Sequence, residues 1–289
     1  MKHFADGSAK SAGGIGGMRA AVAAAIIAGG GLPCGAAITV YEPFNYTSAA
    51  QVSGQSGGGS LGFSAAWSGG SATATVGSGS LPGTSTIGNR AAMAANSLTT
   101  PLSRTLSSSL GISAGTTYFS FLIRPEASVG SSIGELRLTG SANTVGFGLN
   151  ANSGSYLIDQ VGTGAGVTTS SSTAVVNTPV LLVLKAVFGA GSASDTFSLF
   201  YNPAVGSLEG TANATRSFDV GTVTALSIAG NLAFSVDEIK VGSSYADVVP
   251  EPGTWAAGGA VAVLVAAQWM RSRRRRNDSE EAAEETRIH

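Results

Sequence analysis

The stretch TPVLLVLKAVFGAGSASDTFSLFYNP, residues 178–203, decides the fold. Its first part, VLLVLKAVF, is apolar at nearly every position, which is typical of a central β-strand covered on both faces. The Gly- and Ser-rich turn GAGSAS follows, and DTFSLFYNP then has the composition of an antiparallel partner strand. The stretch therefore predicts a β-hairpin in the middle of a sheet.

Other short apolar runs, divided by Gly, Ser, Asn and Pro, extend the strand-and-turn pattern in both directions. In GELRLTG, residues 134–140, Leu136 and Leu138 alternate with polar residues, as in a half-buried strand. In NTVGFGLN, residues 143–150, apolar residues alternate with small ones. No stretch has the period of a long amphipathic helix. We expect about ten to twelve strands in one all-β antiparallel sandwich over residues 38–248.

The last predicted strand, LAFSVDEIKVG, contains two adjacent carboxylates, Asp237 and Glu238. Neighbouring residues of a regular strand point to opposite faces of the sheet. Regular alternation would place Phe234, Val236, Glu238 and Lys240 on one face and Ser235, Asp237, Ile239 and Val241 on the other.

Composition excludes several classes of function. Residues 38–249 contain ten acids and seven bases, a net charge near −3, and no basic stripe for nucleic acid. The chain has one cysteine, Cys34, and two histidines, His3 and His289. The middle of the chain therefore offers no thiolate or imidazole zinc site and neither Ser-His-Asp nor Cys-His catalysis.

The N-terminal segment has the order of a secretory signal. Basic residues precede the apolar run AAVAAAIIAGGGL, and small residues follow it. We predict a signal peptide over residues 1–37 with cleavage after Ala37; the alternative start Met18, directly before Arg19, would give a more compact signal. The other interpretation is an N-terminal transmembrane helix, but the run is shorter than the ~20 residues that span a bilayer.

The C-terminal segment predicts membrane insertion. Residues 255–270 form an apolar run with Trp255 and Trp269 at its ends, where indole rings favour the membrane interface. By the positive-inside rule, the basic cluster after the run stays on the cytoplasmic side. The membrane-stop cluster comprises Arg271, Arg273, Arg274, Arg275 and Arg276. An acidic tail, residues 277–289, follows the cluster.

Residues 249–276 resemble the PEP-CTERM sorting domain of Gram-negative bacteria. The resemblance rests on Pro250, Glu251 and Pro252, followed by a spacer, the apolar run and the arginines. It implies recognition of the triplet by an exosortase, a membrane-embedded cysteine transpeptidase. It also implies export through an inner-membrane intermediate to the cell surface or matrix, alongside exopolysaccharide. The acidic tail departs from the family, whose members usually end soon after the arginines; a permanent membrane anchor is the alternative.

The middle of the chain resembles laminin-G-like, concanavalin-type jelly-roll proteins. The residues that carry the resemblance are ITVYEPFNYTSAAQVSGQSGGGSLGFSAAWSG, the hairpin of residues 178–203, and FSVDEIKVGSSYADVVPEP. The resemblance implies a jelly-roll β-sandwich. It also implies either a glycan-binding or adhesive module or a glucanase.

Carboxylate spacing favours a binding module over an enzyme. Glycoside hydrolysis usually needs two carboxylates about 5–9.5 Å apart. The Glu-x-Asp-x-(x)-Glu pattern of the jelly-roll glucanases is absent, and the acids are scattered singly. We therefore expect a non-catalytic structural, adhesive or glycan-binding protein without an organic cofactor. The alternative is a secreted glycan hydrolase.

Two kinds of binding residue are available in the sandwich. Carboxylate and carbonyl oxygens hold calcium in proteins, and a structural calcium ion would use Asp195, Asn202, Asp237 and Glu238. The alternative is that these four residues serve turns and strands. Aromatic rings stack on sugars, and the candidates are Trp67, Tyr118, Tyr156, Tyr201 and Tyr245, with core packing as the alternative.

Overall fold

A computed structural model describes residues 37–70, 74–82, 88–95, 98–128, 132–149, 154–162 and 168–249. These residues form fifteen strands and one short helix. In chain order they are β1 (Ile38–Glu42), β2 (Ser68–Gly69), β3 (Ala74–Gly77), β4 (Arg90–Met93), β5 (Leu98–Leu110), β6 (Gly115–Pro125), β7 (Gly134–Gly140), β8 (Thr144–Leu149), β9 (Ser155–Gln160), β10 (Thr168–Thr173), β11 (Val180–Phe188), β12 (Asp195–Tyr201), β13 (Ala214–Phe218), β14 (Val223–Gly230), β15 (Phe234–Gly242) and α1 (Tyr245–Val248).

The described strands form two sheets. Sheet I has the order β13-β12-β11-β6-β15-β4-β3, with β1 paired to the second half of β15. Sheet II has the order β10-β9-β8-β7-β14-β5-β2. All pairings between these strands are antiparallel. The predicted all-β antiparallel architecture is confirmed, and it is consistent with a jelly-roll sandwich. The strand number exceeds the expected ten to twelve because short pieces such as β2 carry no periodic signal.

The hairpin of residues 178–203 is confirmed in the centre of sheet I. Strand β11 pairs with β12 on one side and β6 on the other, and every residue from Val180 to Phe188 is buried except Lys185 and Val187. Lys185 is half-buried, and its Nζ lies 2.7 Å from Glu209 Oε1. The apolar run of β11 thus reflects burial on both faces of one strand.

The main core lies between the two sheets. Leu182 and Phe121 of sheet I and Leu136 and Phe147 of sheet II belong to it. The rings of Phe121 and Phe147 meet edge to face, with centroids 5.0 Å apart. Such aromatic pairs add roughly 0.5–1.5 kcal/mol beyond the area that they bury. Contacts of this kind fix the two sheets face to face.

A buried polar network joins the sheets at one end of the core. Glu42 of β1 is fully buried, and its carboxylate accepts hydrogen bonds from Arg104 Nη1, Tyr46 Oη (2.7 Å), Trp67 Nε1 (2.9 Å) and the Phe44 backbone N–H (2.8 Å). The Arg104 guanidinium stacks over the Phe63 ring, 4.3 Å from its centroid. Burial raises the pKa of Glu42, while these donors and the guanidinium oppose that rise.

The regular alternation expected for β15 is wrong from Glu238 onward. Glu238 has φ +53°, and the pairing of β15 with β6 shifts register between Asp237 and Lys240. This β-bulge inserts an extra residue, so Ile239 and Val241 return to the core beside Phe234 and Val236. The alternation that the sequence suggests therefore holds only for the first half of the strand.

The outer face of sheet I is covered by the segment that directly follows β15. Residues 243–249, which we name the strap, contain α1 and pack against β6 and β15. The strap and the covered face together form a second apolar cluster. Its members are Leu81, Tyr118, Leu122, Leu181, Val183, Phe200, Tyr245, Val248 and Val249.

The predicted terminal segments lie outside the described residues. Within the described parts of the chain, no helix is long and apolar enough to cross a membrane. The signal helix and the transmembrane helix over residues 255–270 therefore stay predictions.

Candidate functional site

A straight row of polar and small residues crosses the outer face of sheet II. We name it the polar row; its members, directly opposite one another on β9, β8, β7, β14, β5 and β2, are Asp159, Gly146, Arg137, Ser227, Ser103 and Ser68. Five strand spacings of about 4.8 Å give it a length of roughly 24 Å. The row runs perpendicular to the strands.

Strand periodicity places the row on the outer face. Leu136 and Leu138 flank Arg137 along β7, and both point into the core. Ile158, next to Asp159, and Leu226, next to Ser227, also belong to the core. Because successive side chains alternate between faces, the row residues point away from the core.

An ion pair lies at the centre of the face. Arg137 Nε and Nη2 both donate to Glu135 Oε1, at 2.6 and 2.5 Å. Burial raises the pKa of Glu135; Arg137 opposes the rise and the nearby charge of Asp159 adds to it. Only one carboxylate oxygen of Glu135 is used by the guanidinium, and the Nη1 N–H groups of Arg137 have no partner among the described residues.

Gly146 leaves a gap in the row between Arg137 and Asp159. A Cβ atom built on Gly146 would lie 2.4 Å from Glu135 Oε2, so the Glu135 carboxylate extends over this glycine. No described group forms a hydrogen bond or ion pair with the Asp159 carboxylate. As far as the described residues go, the gap therefore has a carboxylate without a partner on one side and a guanidinium with spare donors on the other.

Part of the polar row is accessible, while Gly146 and Ser227 are buried. Asp159, Arg137 and Ser103 are partly exposed, and Ser68 is exposed. The one described helix packs on sheet I, and among the described elements none is layered over the outer face of sheet II. This face is therefore the candidate site for a ligand that carries many hydrogen-bonding groups.

The four predicted calcium ligands are not brought together. Asp195 and Asn202 lie at opposite ends of β12, which β11 and β6 separate from Asp237 and Glu238 on β15. Both oxygens of Asp195 accept backbone N–H groups, from Gly189 (2.9 Å) and Val220 (2.8 Å). Asn202, with φ +42°, ends the strand, and its side-chain oxygen lies 3.5 Å from the Leu181 nitrogen.

Asp237 and Glu238 have separate partners. The Asp237 carboxylate is fully buried and accepts the N–H groups of Leu81 (2.8 Å) and Glu238 (2.9 Å). Burial raises the pKa of Asp237 to about 7 against the effect of these hydrogen bonds. Glu238 accepts from Tyr41 Oη at 2.9 Å, and Lys240 Nζ lies 3.1 Å from it. No group of three or more acidic, His or Cys side chains in the described chain is placed to hold a metal ion.

Most of the predicted sugar-stacking rings are buried. Trp67 and Tyr156 are 1% and 0% exposed and belong to the core between the sheets. Tyr118 and Tyr245 pack together in the cluster beneath the strap, with ring centroids 6.0 Å apart. Tyr201 is half-buried against Tyr156. A ligand on the polar row would be held by hydrogen bonds and charge.

Ala37 is exposed directly before the first residue of β1. The sorting motif, Pro250, Glu251 and Pro252, begins one residue beyond Val249 and lies outside the described residues, as does the arginine cluster over residues 271–276. Signal cleavage and sorting therefore stay predictions.

Only part of the polar row can be predicted from the sequence. Alternation in GELRLTG already assigns Glu135 and Arg137 to the polar face, and NTVGFGLN assigns glycines to it. Asp159, Ser227, Ser103 and Ser68 carry no local signal, since they join the row only through the strand order of sheet II.

No protein-family model matches the sequence, and no curated protein matches it. Among solved structures, the globular domain of Trypanosoma cruzi calreticulin is 12% identical, covering 74% of this chain and 90% of that chain with a TM-score of 0.44. Galectin LEC-6 of Caenorhabditis elegans is 18% identical over 50% of this chain and 91% of that chain, with a TM-score of 0.33. The carbohydrate-binding module CBM66 of Bacillus subtilis is 14% identical over 59% and 96%, with a TM-score of 0.32. Similarities as distant as these assign neither a function nor a site to this chain.

Proposed function

We propose that the chain is an exported bacterial surface or matrix protein whose β-sandwich binds a glycan without cleaving it. The polar row carries the binding part of this proposal. It offers a carboxylate, a guanidinium and hydroxyl groups on a partly exposed face. Glycans present many hydroxyl groups, and charged partners make the stronger hydrogen bonds to them.

The small residues of the row suit a ligand that lies flat on the sheet. Gly146 has no side chain, and the side chain of Ser227 is short and only 2% exposed. A sugar ring in the gap would contact Arg137 and Asp159 together. An extended oligosaccharide along the row would meet a new strand about every 4.8 Å.

We expect the Asp159→Ala variant to bind its glycan about tenfold or more weakly, because a hydrogen bond to a charged group is lost. The wild-type chain, screened on an array of bacterial polysaccharides, provides the ligand, and calorimetry measures the dissociation constant.

Glu209→Ala is the matched control for this experiment. It removes the same charge from the opposite side of the molecule, where Glu209 is 31% exposed and pairs with Lys185. An exposed pair of this kind contributes little to stability. Equal weakening by both variants, or no glycan bound by the wild type, would contradict the assignment of the polar row.

Glycan hydrolysis is the second candidate function. The observation in its favour is that Glu135, whose pKa burial raises, lies on the same face as Asp159, whose charge acts on it. The contacts of Glu135 weigh against it, since the side chain is 2% exposed and Arg137 stabilises the ionised form. We expect no release of reducing ends from any glycan that binds. Release that Glu135→Gln or Asp159→Asn abolishes would establish the hydrolase instead.

The export part of the proposal rests on the residue pattern of the two ends. We infer that an exosortase recognises Pro250, Glu251 and Pro252 while residues 255–270 are in the inner membrane. Mass spectrometry of the surface-located protein tests this inference. Peptides from residues 277–287 in that form would support the permanent membrane anchor.

A further inference from the structure

The strap is part of the folded domain although it leads to the predicted sorting tail. Val248 and Val249 are each 1% exposed, Asp247 is 6% and Tyr245 is 8%. These values match the core rather than a linker. The chain therefore remains folded up to the residue before Pro250.

Tyr245 anchors the strap to sheet I. Its ring packs edge to face on Tyr118 of β6 and on Phe200 of β12, with centroids 6.0 and 5.5 Å away. Val248 and Val249 complete the same apolar cluster with Leu122. Loss of these contacts would expose an apolar surface to water, which opposes local opening.

Polar contacts fix the strap in one register. Ser120 Oγ, fully buried on β6, donates to the Val248 carbonyl at 2.9 Å. The Asp247 carboxylate accepts the Ser244 N–H at 2.7 Å and the Ser243 hydroxyl at 3.2 Å. The Val249 N–H donates to the Tyr245 carbonyl at 3.1 Å. The contacts of Asp247 and Val249 therefore hold the strap in its own conformation, and the Ser120 hydroxyl ties it to β6.

We propose that the strap sets the upstream limit of C-terminal processing, so that the tail is cut beyond Val249 and never within residues 243–249. A peptidase or transpeptidase must hold several residues in an extended form, and the strap reaches that form only by local unfolding. In the cell the enzyme would be the exosortase, and to that extent the inference rests on the proposed function. A cut within the strap would also uncover the apolar face of sheet I.

Limited proteolysis of the purified full chain in detergent tests the limit directly. A protease of broad specificity is expected to leave a resistant core whose C-terminus, measured by intact mass, is Val249 or a later residue. The proposal would be overturned if the protease removed the strap as fast as it removed the tail and so left a core that ends before Tyr245.

Three variants keep the test specific to the strap. In Tyr245→Ala, cleavage within residues 243–249 should become about 10- to 100-fold faster, because the anchor is removed. Ser120→Ala should show a smaller increase, and Ser198→Ala, on the same face of sheet I but without a strap contact, should show none. Unchanged cleavage in Tyr245→Ala would also overturn the proposal. If the exported protein keeps residues 277–287 while the proteolytic limit holds, the sorting proposal fails, and what stands is that the strap protects residues 243–249 from cleavage.

Discussion

Replacing Arg104 with methionine is expected to lower the free energy of unfolding by about 3–5 kcal/mol, the usual cost of removing one partner of a buried ion pair. Arg104 is 4% exposed and Glu42 is fully buried, so water cannot replace the guanidinium. Methionine keeps apolar volume beside Phe63 and Trp67 but removes the charge and the hydrogen bonds that the guanidinium donates to Glu42, Tyr46 and the Ala65 carbonyl. Urea denaturation monitored by tryptophan fluorescence measures the change.

The pH dependence of the free energy of unfolding of R104M tests whether the loss comes from the buried charge of Glu42. Burial raises the pKa of Glu42, so the folded state binds its proton more tightly than the unfolded state does. Stability from such a group is present at low pH and is lost as the pH rises through the folded pKa. Without the guanidinium the pKa of Glu42 rises further, so R104M should regain stability relative to wild type as the pH falls.

Arg124→Met is the matched control for R104M. Arg124 and Glu126 form an ion pair at 2.6 Å, but their side chains are 21% and 27% exposed. A pair so close to water contributes roughly 0–1 kcal/mol. Equal losses in the two variants, or an R104M deficit that does not change with pH, would show that the network joining the sheets is not held by charge.

The second large effect is expected at Gly148, in the strand beneath the candidate site. A Cβ atom at this position would lie 2.2 Å from the Gly134 carbonyl oxygen and 2.6 Å from Glu135 Cα, both backbone atoms of β7. Backbone in the middle of a sheet cannot move aside cheaply, so Gly148→Ala should destabilise the domain by about 3 kcal/mol. Thermal unfolding followed by circular dichroism measures the loss.

Gly146→Ala provides the comparison on the same strand. The methyl group would meet Glu135 Oε2 at 2.4 Å, which is the end of a flexible side chain. The Glu135 carboxylate can shift, so the expected loss is below about 1 kcal/mol. Glycan binding should nevertheless weaken, because the gap is filled and the Glu135–Arg137 pair is disturbed. A Gly146→Ala variant that is as unstable as Gly148→Ala would contradict this distinction.

The sequence predicts the elements that depend on local periodicity and misses what depends on distant pairing. The hairpin of β11 and β12 follows from its apolar run and its turn, and both strands form as expected. The bulge at Glu238 escapes such prediction, because a glutamate at positive φ has no residue signature. Its cause is the pairing of β15 with β6 on one side and with β4 and β1 on the other.

The candidate site likewise has a part that local periodicity predicts and a part that depends on distant strand pairing. Glu135 and Arg137 were predictable as the polar face of one strand. Their approach to Asp159 and Ser227 depends on β7 lying between β8 and β14, and β14 comes much later in the chain. For the same reason the four residues considered for calcium could not be separated by inspection of the sequence, although the structure places them on β12 and β15 with backbone or tyrosine partners.

The strap and the polar row lie on opposite outer faces, and this arrangement has a mechanical consequence. Tension applied along the chain from beyond Val249 enters the domain through Tyr245 and sheet I. Tension applied through a ligand on the polar row enters through sheet II. The two forces therefore meet as a shear across the core, where the Phe121–Phe147 contact and the Glu42–Arg104 pair join the sheets. The polar row is therefore directed away from the strap, and a force applied between the two would be carried by the sandwich itself.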